Sequence, residues 1–376
     1  MILGTSQTPV KQEQPKENKV SHKKGFFLKF RHNISLRDKI FFIQNLRIMI
    51  KGGLSLGAAL QTVAEQVSNK YFKEVIAHVW KEVEGGVSFS QALEKYPKVF
   101  NDLFVNMIKS GELSGNLEQV LERLHIQMKK DHDLIAKVKG AMVYPAVVVI
   151  AMGGIGTAMI IFVVPKLIAI FEEFKATLPL PTRIMIAVSK FITHNGLVVA
   201  MAIVVFVALF IKFFRSQSGK RVFHKFFLKM PIIANITKKI NLARFCRTAS
   251  SLLKTDIPII QSLKITSMVV GNIYYRAALV DASQKISKGL QINKVLSDYP
   301  KLFPPTIIQM LKVGEESGAV DEVLDEVAQF YEEDVSQIME SLPAIIEPLL
   351  ILVLGLGVGG MAVAVIMPMY SLTQSF

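Results

Sequence analysis

The chain has 376 residues, of which 51% are hydrophobic; its mean hydropathy is +0.39, its net charge +14, and its one cysteine is Cys246. Such hydropathy is too high for an ordinary soluble protein and places part of the chain in lipid. A single cysteine excludes an intrachain disulfide, a cysteine-built zinc site and, with them, a large exported domain stapled by disulfides. The positive charge fits a membrane protein that gathers Lys and Arg on its cytoplasmic loops better than it fits a nucleic-acid binder.

Residues 1–34 form a basic tail of low complexity, with Lys11, Lys16, Lys19, Lys23, Lys24, Lys29 and Arg31 against Glu13 and Glu17. No apolar stretch precedes a small-residue cleavage site, so the tail does not read as a signal peptide. Its composition predicts disorder, and anionic lipid head groups are a surface it can touch.

A first helical domain is expected over 35–143. Ser35-Leu36-Arg37-Asp38 is an S-x-x-D helix start, after which Ile43, Leu46 and Ile50 fall on one face. Gly52 and Gly53 stop this helix, Ser55 caps the next, and Gly85 and Gly86 end a third that begins near Tyr71. Ser88-Phe89-Ser90-Gln91 opens a short helix that Pro97 closes. A helix over 101–110 leads into Gly111-Glu112-Leu113-Ser114-Gly115, and a long one begins near Asn116. The result is an all-α bundle of about six helices.

Residues 144–165 carry no charge over about twenty positions, the length that crosses a hydrocarbon core. An external loop is expected over 166–191 and a second span over 192–213, its start weakened by His194 and Asn195. A second helical domain occupies 214–341, a third span 342–370 and an external tail 371–376. Lys212, Arg215, Lys220, Arg221, Lys225 and Lys229 follow the second span without an acid, whereas Lys166, Lys175, Arg183 and Lys190 are offset by Glu172 and Glu173. That asymmetry predicts a cytoplasmic N-terminus, two cytoplasmic domains and an external C-terminus.

The GELSG segment at 111–115 returns as GEESG at 314–318, an offset of 203. The same offset pairs Phe42 with Phe245, Lys51 with Lys254, Gly86 with Gly289, Tyr96-Pro97 with Tyr299-Pro300, Phe100 with Phe303, Pro145 with Pro348 and Pro165 with Pro368. No gap is needed, so the chain contains a duplication of roughly 120 residues. Two copies of "bundle, then membrane helix" each run from inside to outside, and the middle span is the connector that brings the chain back. The repeats are therefore parallel, related by an axis along the membrane normal.

Nothing in the sequence reads as catalytic, and neither a metal nor another cofactor is expected. Ser218-Gly219-Lys220-Arg221 lacks the upstream glycine and the following hydroxyl of a phosphate-binding loop. There is no H-E-x-x-H, and the seven histidines do not fall at metal-ligand spacings; His125 and His132 read as solvated positions on one helix face. A cation site made of carboxylates alone is left open.

The repeated segment has a local account in which Gly111 and Gly314 follow a helix with φ > 0, Ser114 and Ser317 cap the next helix, and Glu118 and Asp321 sit in its first turn. It leaves Glu112 and Glu315 unexplained at the hairpin tips. Gly111, Glu112, Gly115, Gly314, Glu315 and Gly318 are therefore candidates for a partner interface.

In the spans, Gly153, Gly154, Gly156, Gly355, Gly357, Gly359 and Gly360 permit close helix approach, within the chain or between chains. Gly355 and Gly359 stand at G-x-x-x-G spacing, and Gly154 and Gly156 match Gly357 and Gly359 across the repeat. Glu347, at the edge of the third span, is either functional or snorkels to the interface.

The doubled domain, the GE-SG segment in each copy, Tyr144-Pro145 and Glu347-Pro348 opening the outer spans, and Pro179-Leu180-Pro181-Thr182 between them resemble the type II secretion system F family, over about residues 36–370. The resemblance implies a non-enzymatic assembly platform in the inner (cytoplasmic) membrane, at the base of a type IV pilus, a type II secretion machine or its DNA-uptake (competence) version. Such a platform couples a hexameric cytoplasmic ATPase to insertion or removal of pilin or pseudopilin subunits. Other inner-membrane components and further copies of the chain are implied as partners, and no specific nucleic acid. The basic tail stands where many members carry a structured leader. The competing reading, a small-solute transporter, requires polar groups and broken helices at mid-membrane, which these spans lack apart from glycines.

Overall fold

The computed structural model describes residues 34–166, 168, 180–228 and 230–373, and they form helices joined by turns. The basic tail over 1–33, the loop residues Glu172, Glu173, Lys175 and Pro179, Lys229, and the tail beyond 373 lie outside the described residues.

Six helices make the first bundle: α1 (Leu36–Lys51), α2 (Leu56–Gln66), α3 (Lys70–Glu84), α4 (Phe89–Glu94), α5 (Asp102–Ser114) and α6 (Leu117–Ala158). Their starts are written in local side chains. Ser35 and Asp38 close a reciprocal capping box, and Ser55, Asn69, Ser88 and Asn101 each accept a first-turn N–H. Phe42, Phe72 and Phe100 meet in the core with ring centroids 5.6 to 6.2 Å apart.

The second bundle repeats the plan with α10 (Pro231–Leu253), α11 (Ile259–Val269), α12 (Ile273–Ile286), α13 (Ile292–Ser297), α14 (Pro305–Ser317) and α15 (Val320–Thr373). Its central rings are the counterparts of the first three at the offset of 203: Phe245, Tyr275 and Phe303. The hydroxyl that Tyr275 brings into this core donates to the Leu302 carbonyl at 2.6 Å, which removes the penalty of burying it.

The turns are duplicated as well. Positive φ occurs at Gly53, Gly86 and Gly115 and at their counterparts Asp256, Gly289 and Gly318; Asp256 is the one non-glycine in this region among the described residues. At Gly318 a Cβ would meet no atom within 4 Å, so a side chain there is opposed by backbone conformation alone. Gly318→Ala is expected to destabilise the full chain by about 1 kcal/mol, read as a lower midpoint in thermal unfolding of the detergent-purified protein.

Among the described residues three helices are long and apolar enough to cross a membrane, and they lie in α6, in α8 (Gly196–Arg215) and in α15. α6 runs through Tyr144 and Pro145 without a break, as α15 runs through Glu347 and Pro348. The expected boundaries at 143/144 and 341/342 therefore fall inside continuous rods. Their 42 and 54 residues correspond to about 63 and about 80 Å, against a hydrocarbon core of about 30 Å.

Two expectations for the middle of the chain need correction. The second span does not begin at 192: Ile192, Thr193 and His194 belong to α7 (Leu180–His194), which breaks from α8 at Asn195. The C-terminal part of the expected loop is thus a helix, and it is docked at both ends. The buried Thr182 hydroxyl donates to the Ala364 carbonyl of α15 at 2.8 Å, and the buried Ser189 hydroxyl donates to the Ile160 carbonyl at 2.8 Å. Ile160 lies in a π-helical turn, Met159–Val163, that continues α6; such a widened turn leaves carbonyls for side chains to take. After α8, the short amphipathic α9 (Gln217–Phe227) leads into the second bundle, its start capped by Ser216.

Candidate functional site

The GE-SG segments are not hairpin tips. α5 continues to Ser114 and α14 to Ser317, so Gly111 and Gly314 lie within helices, and the left-handed C-terminal positions belong to Gly115 and Gly318. Gly111 and Gly314 are buried because another helix crosses there. A Cβ on Gly111 would stand 2.9 Å from Val120 Cγ2, and one on Gly314 3.0 Å from Val320 Cα. Ser114 and Ser317 do not cap the following helix either; their hydroxyls donate back to the Ser110 and Val313 carbonyls.

Glu112 and Glu315 are engaged inside the chain. The Glu112 carboxylate accepts the N–H groups of Phe89 and Ser90, the first two of α4, at 2.5 and 2.9 Å. Glu315 does the same for Ile292 and Asn293 at the start of α13, at 2.6 and 3.0 Å, and also takes the Asn293 amide at 2.6 Å. A carboxylate here satisfies donors that a helix start leaves unpaired and meets the positive end of the helix. Each glutamate thus ties a six-residue helix to the end of the helix that directly precedes a membrane rod, the same way in both copies.

The two bundles meet along α5 and α6 on one side and α10 and α11 on the other. Leu252, Ile257 and Ile265 of the second bundle belong to the apolar core of the first. The buried Gln127 donates to Thr248 at 3.2 Å and accepts from Ser251 at 3.0 Å. Ser110 donates to the Thr255 carbonyl at 2.5 Å, Gln261 to Asn106 at 2.8 Å, and Arg244 pairs with Asp131 at 2.9 Å.

Beyond this the rods α6 and α15 lie side by side. Lys130 reaches Glu332 at 3.3 Å, and Lys137 reaches Ser336 and Glu340. Glu333 and Glu340 are the counterparts of Lys130 and Lys137, so the rods run parallel and nearly in register. The pairing explains an opposite-charge pattern that differs between otherwise matching helices.

Glu332 also belongs to a denser cluster. Arg247 holds it with two nitrogens at 2.7 and 3.0 Å and bonds Asp325 with the third, while Lys254 reaches Asp325 at 2.6 Å. Burial acts to raise the Asp325 pKa, but the Lys254 hydrogen bond and the Arg247 charge hold it below the ordinary carboxylate range. This cluster was missed from sequence because its members stand far apart on α10 and α15.

The remaining candidates are placed as follows. A Cβ on Gly154, Gly156, Gly355, Gly357 or Gly359 would meet nothing within 4 Å, so among the described residues these glycines make no close helix contact. Glu347 is exposed. His125 is not a solvated position: its Nδ1 is buried and unpartnered, and burial, with Arg47 nearby, lowers its pKa.

These features define a class: a helical membrane protein in which a six-helix bundle fused to a membrane rod occurs twice, with a third membrane helix between the copies. A family model described as type II secretion system (T2SS), protein F matches residues 42–165 and again 245–368, two stretches at the offset of 203. The chain belongs to this family. It is 35% identical over 337 residues to the type IV pilus assembly protein PilC of Thermus thermophilus, covering 90% of this chain and 83% of that one. It is 32% identical over 372 residues to the type IV pilus assembly protein TapC of Aeromonas hydrophila, covering 98% and 90%. To the type II secretion system protein F of Aeromonas hydrophila it is 30% identical over 344 residues, covering 92% and 88%.

Proposed function

We propose that this chain is the inner-membrane assembly platform of a type IV pilus or type II secretion machine, a structural component that couples a cytoplasmic hexameric ATPase to the insertion or removal of pilin or pseudopilin subunits. The observation that carries this reading is mechanical. α6 and α15 are single helices that begin in a bundle and end in the membrane, and ion pairs join them side by side. A movement imposed on either bundle is delivered along a rod, without a flexible joint, to the depth at which a membrane-embedded subunit would be handled. The lipid-facing glycines leave room there for a close-packed partner helix.

In this reading the bundles and the N-terminus are cytoplasmic, supported by the acid-free basic stretch after α8, and the C-terminus is external. Relatives named for pilus assembly are the more similar of the three above, which favours the pilus. Deletion of the gene is expected to abolish surface filaments, or the secretion that depends on such a machine, with full-length chain in membranes retaining the assembly ATPase. A deletion strain with normal filaments, secretion and DNA uptake but impaired solute uptake would refute the proposal in favour of a transporter.

A further inference from the structure

The contact between the bundles is one-sided. The first bundle contributes its α5–α6 face and the second its α10–α11 face. Because the bundles are copies, each face has a counterpart at the offset of 203: α14–α15 on the second bundle, α1–α2 on the first. A twofold relation would bury both pairs of faces; here the second pair is open.

On α14–α15, Met310, Val313 and Phe330 are between 43 and 60% exposed, although they correspond to Met107, which is sealed, Ser110 and Gln127. On α1–α2, Phe41, Ile48 and Leu54 are between 42 and 52% exposed and correspond to Arg244, Ser251 and Ile257, all inside the contact. Inside the chain Gln127 bonds Thr248 and Ser251, and Ser110 bonds the Thr255 carbonyl. At the corresponding positions Phe330 would stand against Asn45 and Ile48, and Val313 against Gly52. Thus the Ser251 partner of Gln127 gives way to Ile48 opposite Phe330 and the Ser110 donor to Val313, while Thr248 gives way to Asn45 and the Arg244–Asp131 pair becomes Phe41 opposite Asp334, which Lys239 of the same chain already neutralises; apolar area is exposed on both faces where the internal contact has it covered.

We infer that a second copy of this chain docks head to tail, its α1–α2 face covering the α14–α15 face and repeating the internal interface with apolar contacts in place of the Gln127 network. The contact is heterologous, so each copy keeps one face open until a ring closes. Because α6 and α15 are parallel and nearly in register, the relating rotation runs along the rods and keeps the membrane helices of successive copies in one bilayer. The inference stands on the internal interface and does not depend on the platform reading.

The test uses the pair Asn106 and Gln261, which are hydrogen-bonded across the internal contact, and their exposed counterparts Gln309 and Ala58. Two differently tagged full-length copies are made together, one with Ala58→Cys and one with Gln309→Cys, and their membranes are treated with a short bismaleimide. Cys246, fully buried, stays in place. We expect a product joining the two tags, at a yield similar to that of the intrachain pair Asn106→Cys with Gln261→Cys. It should be absent when both copies carry the same substitution. Phe330→Asp in the Gln309→Cys copy should reduce it about tenfold while leaving the intrachain product of an Asn106→Cys, Gln261→Cys, Phe330→Asp chain unchanged. Failure of the mixed pair or of the intrachain pair, products between identical positions in place of mixed ones, or indifference to Phe330→Asp overturns the inference.

Discussion

Arg247→Ala is expected to destabilise the second bundle by about 3 kcal/mol. The guanidinium side chain is 9% exposed and bridges Glu332, 13% exposed, to Asp325, 26% exposed. Its removal leaves two carboxylates in a partly desolvated site, answered only by Lys254 and Lys130 at its edge. Breaking such a cluster from one side is more damaging than the cluster is stabilising, because the surviving charges lose their solvation without keeping their partner. Arg247→Met, which fills the space but also strands the acids, should recover little; Arg247→Lys should recover part, since an ammonium cannot hold Glu332 through two parallel bonds.

Cys246, the neighbouring residue and sole cysteine, supplies the readout. It is fully buried, and burial pushes its thiol pKa far up, so it reacts only when the bundle opens. Alkylation of the detergent-purified full chain should accelerate on the order of 100-fold in Arg247→Ala. An unchanged rate would mean that the cluster does not hold the bundle. A pH dependence follows from Asp325. Its folded pKa lies below the ordinary carboxylate value, so its contribution is fully present above that value and is lost as the pH falls through the depressed one. Acid should therefore lower the unfolding midpoint of the native chain more than that of Arg247→Ala.

Local signals were the legible part of this fold. Caps at Ser35, Ser55 and Ser88, glycine stops and the offset of 203 lie within a few residues or along one alignment, and each returned as a structural feature. Proline misled: Tyr144-Pro145 read as a threshold between domain and membrane, yet the helix carries the proline in its interior. Gly111 misled for another reason. A glycine near a helix end reads as a terminator, but the segment holds two, and only Gly115 ends the helix. Gly111 is fixed by Val120, which crosses it after the turn. The Arg247 cluster had no sequence signal of this kind, since its counterparts in the first bundle are Gln44, Glu122 and Lys129. The open faces had a weak one: the exchange of Gln127 for Phe330 within a duplication, which acquires meaning only once Gln127 is seen to be covered.

Glu315→Ala is expected to destabilise the second bundle by about 2 kcal/mol, and Glu112→Ala the first by about 1 kcal/mol. α4 and α13 are six residues long, too short to persist without tertiary support. In α4 the Ser88 hydroxyl takes the Gln91 N–H, so loss of Glu112 leaves one anchor at that end. In α13 the corresponding residue is Gln291, which makes no cap bond, and Glu315 alone receives the Ile292 and Asn293 N–H groups. The unequal caps predict unequal losses from the same substitution. Glu315→Ala should speed Cys246 alkylation about 30-fold, Glu315→Gln less, since the amide keeps one acceptor, and Glu112→Ala little, because its effect falls in the other bundle and appears as a lower melting midpoint. Unchanged stability together with weaker retention of the assembly ATPase would return both glutamates to a partner interface. Otherwise the repeated acid is what holds each short helix in place.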